Sequence, residues 1–334
     1  TSNTLSSSKV LDKYKLKKTI HQFFPIDHYF LISKFLKYWR PHIAIFVDSE
    51  IWPGMSTALK NKKIPLILIN ARITKKSFKK WLKLRAFSKS IFNKITVAYP
   101  QNKETKKYLK ELKVNNIKDV GNLKIIENTQ DKQDNIGNKL NIQFKKYKTW
   151  VAASTHDGEE IFCAKAHIEL KKKNKNLITI IIPRHIHRVQ DIISQIQNLN
   201  LKVVTHSSKI KTLKNVDIYV VDTFGDSQKF FKISNTVLMG KFLVVKGSQN
   251  PLEAVRYGAK ILHGPNYNNF KDIFKLLKSL KVSEKITTIK QLVTAITFKK
   301  DLRRSFKIKK IGVLILKKTL KELEIYINNE PKKT

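Results

Sequence analysis

Charged side chains recur directly after short apolar runs, the places where buried strands would end. Glu50 follows the run at 43–47, and Arg184 follows the run at 177–182. A carboxylate in such a position can act on a sugar hydroxyl or orient a substrate. An arginine there can bind a phosphate or a carboxylate through its planar fork. Glu50 and Arg184 are therefore candidate site residues.

Several of these positions also have a purely structural interpretation. Glu50 stands just before a helix-starting proline, and Glu253 falls in the first turn of a helix predicted after Pro251; in both places an acid complements the helix dipole. Glu253 could equally accept two hydrogen bonds from a ribose diol. Ser154 and Thr155 precede two acids that open a helix, which favours capping, although the helix-start amides could also hold an anion. The residues alone leave these alternatives open.

Other chemistries are disfavoured. His185 and His187 form one His-x-His pair without further ligands at matching spacing, which argues against a metal site. With only ten glycines and neither GxGxxG nor GxxxxGK[ST], a standard dinucleotide site or P-loop is disfavoured. The one cysteine, Cys163, excludes an internal disulfide and a multi-thiolate metal site. The segment 222–226 also fits an ordinary turn.

The elements that must position these residues follow an α/β pattern. Short β-branched runs alternate with stretches whose apolar residues lie three or four apart, as at 78–92 and 161–170, which indicates parallel sheets covered by helices. The runs lie at 43–47, 66–69, 95–98, 150–153, 177–182, 203–205, 218–221, 236–239 and 261–262. We predict a polar linker at 127–148, a second α/β unit from 150 to about 298, and a terminal amphipathic helix at 302–327. The predicted domains are 1–140 and 141–300, with a C-terminal helix and tail at 301–334 and a ligand cleft between the two domains.

The net charge is unusually high. The 334 residues include 67 Lys plus Arg and 25 Asp plus Glu, a formal charge of +42. Only eight of the basic residues are arginines, and Lys, Asn and Ile are the residues that an AT-rich genome supplies. Solvated helix faces explain the charge best; an anionic membrane surface comes second, and nucleic acid, which is read with arginine forks and stacked aromatics, is disfavoured. No run approaches the roughly 18 apolar residues of a membrane span, and no signal-peptide pattern is present.

Taken in order, the segments around these residues resemble the Kdo transferases, which move 3-deoxy-D-manno-oct-2-ulosonic acid (Kdo) from CMP-Kdo onto lipid A. The matching segments are DSEIWPG (48–54), NARIT (70–74), GNLKI (121–125), AASTHDGEE (152–160), IPRHIHR (182–188), VDTFGD (221–226), GSQNPLEA (247–254) and HGPNYNNF (263–270). Any one of these is weak, but eight in register make a chance match very improbable.

The resemblance implies a GT-B fold, with two facing Rossmann-like doubly wound domains and a terminal helix, and no metal or other cofactor. It implies that Glu50 and Lys124 stabilise the transition state, that Glu253 takes the ribose, and that Arg184 meets the charge of the nucleotide. The residues expected to hold the CMP part of the donor are Pro183, Arg184, Phe224, Gly225, Asp226, Asn250, Pro251, Leu252 and Glu253.

The chain also departs from the family pattern. The family's catalytic base, a Glu in a Gly-Glu motif, and its N-terminal membrane anchor would both precede Thr1, so we expect a chain truncated at its N-terminus. Residues 240–242 read Gly-Lys-Phe where the family has Gly-Gly-Ser, and residues 248–250 read Ser-Gln-Asn where it has Gly-His-Asn. Phe224 replaces a Met, and Asp226 replaces a Glu.

The resemblance therefore implies a glycosyltransferase of lipopolysaccharide core assembly that uses CMP-Kdo and a lipid A precursor (lipid IVA). It would lie peripherally on the cytoplasmic face of the bacterial inner membrane and contact an anionic membrane surface. Two alternatives remain: a non-catalytic remnant that still binds CMP, and a basic protein that binds nucleic acid or anionic surfaces.

Overall fold

The computed structural model describes residues 1–14, 16–126, 136–241, 250–267 and 270–328, and the chain divides into two compact units. Unit 1 comprises residues 1–123 and 315–334, and unit 2 comprises residues 124–314. The structure thus differs from the predicted boundary at 140 and from the separate segment at 301–334. The C-terminal helix is shared between the units because its last turns bond to unit 1: the Glu322 carboxylate accepts hydrogen bonds from the hydroxyl of Tyr99 (3.1 Å) and the ammonium of Lys118 (2.6 Å).

Unit 1 is built around a small parallel sheet of order β1-β2-β3. Five of the six residues of the central strand are buried, which explains why its sequence, LILINA, is almost continuously apolar. The elements are α1 (Leu5–Tyr14), α2 (Tyr29–Trp39), β1 (Ala44–Val47), α3 (Pro53–Asn61), β2 (Leu66–Ala71), α4 (Lys75–Lys83), α5 (Arg85–Phe92), β3 (Val97–Pro100) and α6 (Lys103–Glu111).

Unit 2 contains a seven-stranded parallel sheet. Its elements are α7 (Asn138–Phe144), β4 (Lys148–Thr155), α8 (Glu159–Lys171), β5 (Leu177–Pro183), α9 (Val189–Gln197), β6 (Val203–Thr205), β7 (Ile218–Val220), α10 (Ser227–Ile233), β8 (Thr236–Met239), α11 (Leu252–Arg256), β9 (Lys260–His263), α12 (Lys271–Ser279), β10 (Ser283–Lys285), α13 (Ile289–Ala295) and α14 (Arg303–Asn328), the last of which continues into unit 1.

The order of this sheet is β10-β9-β8-β4-β5-β7-β6. From β4 the chain first builds the β5 side and then crosses to β8, so the point between β4 and β8 is the topological switch of the sheet. Ligands of open α/β sheets bind at the carboxyl ends of the strands at such a point. The carboxyl ends of these strands, here called the ligand edge of the sheet, therefore form a candidate ligand site built from unit 2 by itself.

The predicted strands and most predicted helices are confirmed, with three differences. The stretch 78–92 is two helices, α4 and α5, separated at Leu84. The predicted linker at 127–148 contains α7; residues 127–135 lie outside the described part. The short edge strand β10 has the polar sequence Ser-Glu-Lys, which gives no apolar signal. In the described part of the chain, no helix is both long enough and apolar enough to cross a membrane.

Candidate active site

In unit 1, Glu50 lies between the end of β1 and the start of α3 and is exposed. Its carboxylate accepts hydrogen bonds from the indole N–H of Trp52 (2.7 Å) and from the side-chain amide of Asn3 (3.1 Å). Both donors are neutral, so they orient the carboxylate without neutralising it. The position of Glu50 after β1 was predicted from the sequence. Its hydrogen bond to Asn3, 47 residues away in the chain, was not.

The N-terminus of α3 is capped by another acid, Asp27. Its carboxylate oxygens accept the backbone N–H groups of Gly54 and Met55, each at 2.8 Å. Pro53 is the first helical residue, as predicted. Asp27, rather than Glu50, therefore binds the first free amides of α3. Sequence reasoning missed Asp27, since it lies far from α3 in the chain and has no local motif.

Three of the quoted segments are bonded to one another through residues of unit 1 that lie beyond the strand ends. The backbone N–H of Arg72 donates to the carbonyl of Asp48 (2.9 Å), and the hydroxyl of Ser49 donates to the carbonyl of Arg72 (3.0 Å). The side chain of Asn70 accepts the N–H of Leu123 (3.1 Å). These bonds join segments 48–54, 70–74 and 121–125 into one framework around Glu50.

In unit 2, the start of α8 differs from the expected Ser/Thr cap. The residue before the helix is Gly158, and no side chain caps the helix from that position. Instead, the buried carboxylate of Glu159 accepts the backbone N–H groups of His156 (3.0 Å) and Lys241 (2.8 Å). Glu159 therefore fastens the loop after β4 to the loop after β8, on the two sides of the switch point.

Gly240 marks a close approach of backbones at the same switch point. Its N–H donates to the carbonyl of Ala153 at 2.7 Å. A Cβ on this residue would lie 2.2 Å from the carbonyl oxygen of Ser154, so only glycine fits. The next residue, Lys241, has φ of +69°, a conformation that glycine adopts more easily. Phe242 lies outside the described residues.

Pro183 ends β5 and is buried, whereas the side chain of Arg184 is exposed. The backbone N–H of Arg184 donates to the carbonyl of Thr155 (3.0 Å), which fixes the start of the loop. Within the described part, the Arg184 guanidinium makes no side-chain hydrogen bond or ion pair. Arg188, four residues later, instead pairs with Asp157 (2.7 Å) and with the buried Glu160 (3.2 Å).

The segment after β7 holds three predicted donor-binding residues. Phe224 is 88% exposed, and Gly225 has φ of +86°. Asp226 precedes α10, where its carboxylate accepts a hydrogen bond from Thr223 and pairs with Lys229 at 2.7 Å. Burial opposes ionisation of Asp226, but the bonds from Lys229 and Thr223 outweigh it and lower the pKa. Asp226 is therefore an ionised acceptor at neutral pH.

The last donor segment surrounds α11. Asn250 accepts the N–H of Leu252 through its side chain (3.2 Å), and Pro251 and Leu252 are buried. Glu253 lies in the first turn of α11, as predicted, and is partly buried. Residues 247–249 of this motif, and 268–269 of the motif at 263–270, lie outside the described residues.

Arg256 connects α11 to the segment that carries Lys124. Its guanidinium donates to the backbone carbonyls of Lys124 (3.2 Å) and Ile126 (2.7 Å). These bonds hold the backbone of Lys124 next to the helix of Glu253. Sequence reasoning did not select Arg256, although its position three residues after Glu253, on the same helix face, was an available signal.

The structure thus places the candidates in two groups. Glu50 belongs to unit 1. The other candidates belong to unit 2, where Arg184, Asp226 and the α11 segment follow β5, β7 and β8 at one edge of the sheet. Such an edge has the chemistry to bind an anionic ligand that carries a ribose. The Arg184 guanidinium can pair with the anion, and the Glu253 carboxylate can accept hydrogen bonds from the two ribose hydroxyls.

Comparisons with known proteins concern the family and the fold of the chain. The sequence model of the 3-deoxy-D-manno-octulosonic-acid transferase (kdotransferase) family matches residues 1–126. The 3-deoxy-D-manno-octulosonic acid transferase of Rickettsia felis is 31% identical over 92% of this chain and 66% of its own length. That of Rickettsia prowazekii is 31% identical over 92% of this chain and 67% of its own length. The chain thus spans about two thirds of the length of these curated relatives.

Among solved structures, HepE of Anabaena in complex with UDP has a TM-score of 0.55. It is 9% identical in sequence, and the match covers 88% of this chain and 82% of that one. This likeness shows the fold alone, and it confirms the predicted α/β, GT-B class. The relatives establish that the chain belongs to the 3-deoxy-D-manno-octulosonic acid (Kdo) transferase family.

Proposed function

We propose that this protein transfers Kdo from CMP-Kdo to a lipid A precursor in lipopolysaccharide core assembly. The observation that carries the proposal is the bonding of Arg256 to the backbone at Lys124. The two bonds hold the backbone of Lys124, whose side chain is a cation, beside the helix of Glu253, the residue proposed to bind the ribose. Phosphate charge and ribose hydroxyls are both parts of CMP.

Each residue then has a chemical role. The acceptor hydroxyl attacks the anomeric carbon of Kdo while its proton passes to a general base. The bond between that carbon and the CMP phosphate oxygen breaks, and CMP leaves with the bonding electrons. Arg184 binds the nucleotide's charge, Glu253 accepts hydrogen bonds from its ribose, and Lys124 stabilises the negative charge that develops on the leaving phosphate. Glu50, oriented by Trp52 and Asn3, stabilises the transition state.

CMP binding and turnover test this proposal. We expect calorimetry to detect CMP binding, with a loss of about tenfold or more in Arg184→Ala and Glu253→Ala, because hydrogen bonds to charged groups contribute about 1.5–3 kcal/mol. Arg85→Ala and Glu111→Ala, two exposed positions of unit 1, are matched controls that should leave CMP affinity unchanged.

The same preparations, incubated with CMP-Kdo and a lipid A precursor, report catalysis. Turnover supports the proposal, and its persistence in EDTA would support the proposed independence from metal. CMP binding without turnover would favour the non-catalytic remnant. Steeply salt-dependent binding of DNA or RNA that survives Arg184→Ala and Glu253→Ala would favour the basic binding protein instead.

We further propose that unit 1 rests on the anionic inner surface of the bacterial inner membrane. Its first 40 residues contain seven lysines and one arginine against two aspartates. The same region exposes large apolar side chains: Ile20 (75%), Ile26 (75%), Tyr29 (82%), Phe30 (66%) and Tyr38 (78%). Exposed apolar groups among lysines suit the headgroup region of anionic lipids.

Sedimentation with lipid vesicles tests this surface. Anionic vesicles should bind the chain more strongly than zwitterionic vesicles, and added salt should weaken the binding. Phe30→Ser should reduce it. Phe306→Ser is the matched control, since Phe306 is 67% exposed and lies in unit 2. Equal loss in both variants, or equal binding to both kinds of vesicle, would contradict the assignment.

A further inference from the structure

Three histidines lie together at the carboxyl ends of β4 and β5. The ring centroids of His156 and His185 are 5.8 Å apart, and those of His185 and His187 are 5.6 Å apart. His185 and His187 are exposed, and Arg184 directly precedes them. These three side chains, here called the imidazole cluster, have no role in the proposed mechanism above.

The hydrogen bonding of His156 decides which of its nitrogens can meet a ligand. Nδ1 lies 3.0 Å from the carbonyl oxygen of Ser154 and must carry a proton to donate to it. Nε2 is then an acceptor when the ring is neutral and becomes a donor only when the ring is protonated. His156 can therefore bind an anion through Nε2 only after taking up a proton.

The acids around the cluster are already engaged. Asp157 and Glu160 pair with Arg188, and Glu159 accepts two backbone N–H groups. Partial desolvation lowers the pKa of His185, and its neighbours His156, His187, Arg184 and Arg188 lower it further. Without a ligand, His185 is therefore mostly neutral at pH 7.

A bound anion shifts the protonation equilibrium of these rings, because an opposite charge within a few ångströms favours the protonated imidazolium over the neutral imidazole. We propose that His156, His185 and His187 form, with Arg184, an anion subsite in which the binding of a phosphate or carboxylate is coupled to the uptake of a proton. This inference rests on the proposed function, since CMP-Kdo carries both groups. In the described part, no group of three or more His, Cys, Asp or Glu side chains could hold a metal ion.

Calorimetry of the full chain with CMP, in buffers of different ionisation enthalpy at pH 7, measures the protons taken up. We expect net uptake with CMP and none with cytidine, which lacks the phosphate. We also expect CMP affinity to fall as pH rises above the imidazole range, by up to about tenfold per pH unit. Because the phosphate of CMP itself titrates near pH 6, the readout is the difference between wild type and variant.

His185→Asn and His156→Asn should each reduce the proton uptake and weaken CMP binding about tenfold at pH 6.5. His28→Asn, the same change at an exposed position of unit 1, is the control. Thermal unfolding verifies that each variant is folded. If CMP binds without uptake but free Kdo added to the CMP complex takes up a proton, the subsite holds the carboxylate.

The remaining outcomes separate the two proposals. CMP binding with no proton uptake from either ligand, and equal affinity in wild type and the cluster variants, overturns the anion subsite and leaves the proposed function standing. A complete absence of CMP binding overturns both.

Discussion

Gly240→Ala tests whether the close approach of β4 and β8 builds the ligand edge of unit 2. The new Cβ would lie 2.2 Å from the Ser154 carbonyl oxygen, 2.6 Å from its carbonyl carbon and 2.8 Å from Cα of Thr155. All three are backbone atoms, so no side chain can move aside. Relief to an ordinary contact of 3.4 Å requires the strand ends to separate by about 1.2 Å.

That separation also breaks a hydrogen bond. The Gly240 N–H to Ala153 carbonyl distance, now 2.7 Å, would exceed the usual limit of about 3.2 Å. Overpacking costs about 1–3 kcal/mol, and a lost backbone bond adds about 1 kcal/mol. We therefore expect Gly240→Ala to lower the opening free energy of this edge by about 2–4 kcal/mol and to weaken CMP binding.

Hydrogen exchange of the β4 and β8 amides measures this energy in unit 2 separately from unit 1. Gly137→Ala is the matched control in unit 2, because its Cβ would meet nothing within 4 Å and only φ of +93° opposes it, at about 1–2 kcal/mol. If Gly240→Ala costs no more than Gly137→Ala and leaves CMP affinity unchanged, the close-approach argument is wrong.

Three further predictions concern stability. Asp27→Ala removes the carboxylate that binds the first amides of α3 and should destabilise unit 1 by about 1–2 kcal/mol, measured by exchange of the α3 amides; unchanged exchange would refute its capping role. Burial opposes ionisation of Asp217, but interactions with His167 and Lys171 outweigh it and hold the pKa well below its usual range. Its stabilisation should be complete above the unfolded pKa of about 3.9 and lost as pH falls; acid unfolding of Asp217→Asn, which lacks this titration, should show a shallower pH dependence. Lys241→Gly relieves φ of +69° and should stabilise unit 2 by up to about 1 kcal/mol; urea unfolding that shows a loss would contradict this.

Apolar periodicity and short motifs accounted for much of the fold. Buried strands such as β5, with all seven residues buried, carry a continuous apolar run that can be recognised without any tertiary information. The polar strand β10 has no such run and forms because it pairs with β9 at the sheet edge. The division of α14 between the units depends on Glu322 meeting Tyr99 and Lys118 more than 200 residues away, which no local pattern encodes.

The candidate site shows the same limit at the level of single residues. Glu50 and Glu253 were selected because of where they stand relative to a strand or a helix, and local sequence carries that information. The contacts of Glu50 could not be read locally: the acid that binds the α3 amides is Asp27, more than 20 residues before the helix. A local pattern therefore identifies the candidate, whereas its hydrogen-bond partners depend on the tertiary fold.

Because arginine is scarce in this chain, the arginines of unit 2 indicate specific contacts better than its lysines do. In a chain with 67 basic residues, only eight are arginines, so a directional guanidinium is the exception. Arg188 pairs with Asp157 and Glu160, Arg256 donates to two backbone carbonyls, Arg303 pairs with Asp301, and Arg304 donates to the Gly258 carbonyl. Arg184 makes no such side-chain bond within the described part, although it follows a buried strand at the ligand edge. Arg184 is therefore the arginine of unit 2 that we propose for binding an anionic ligand.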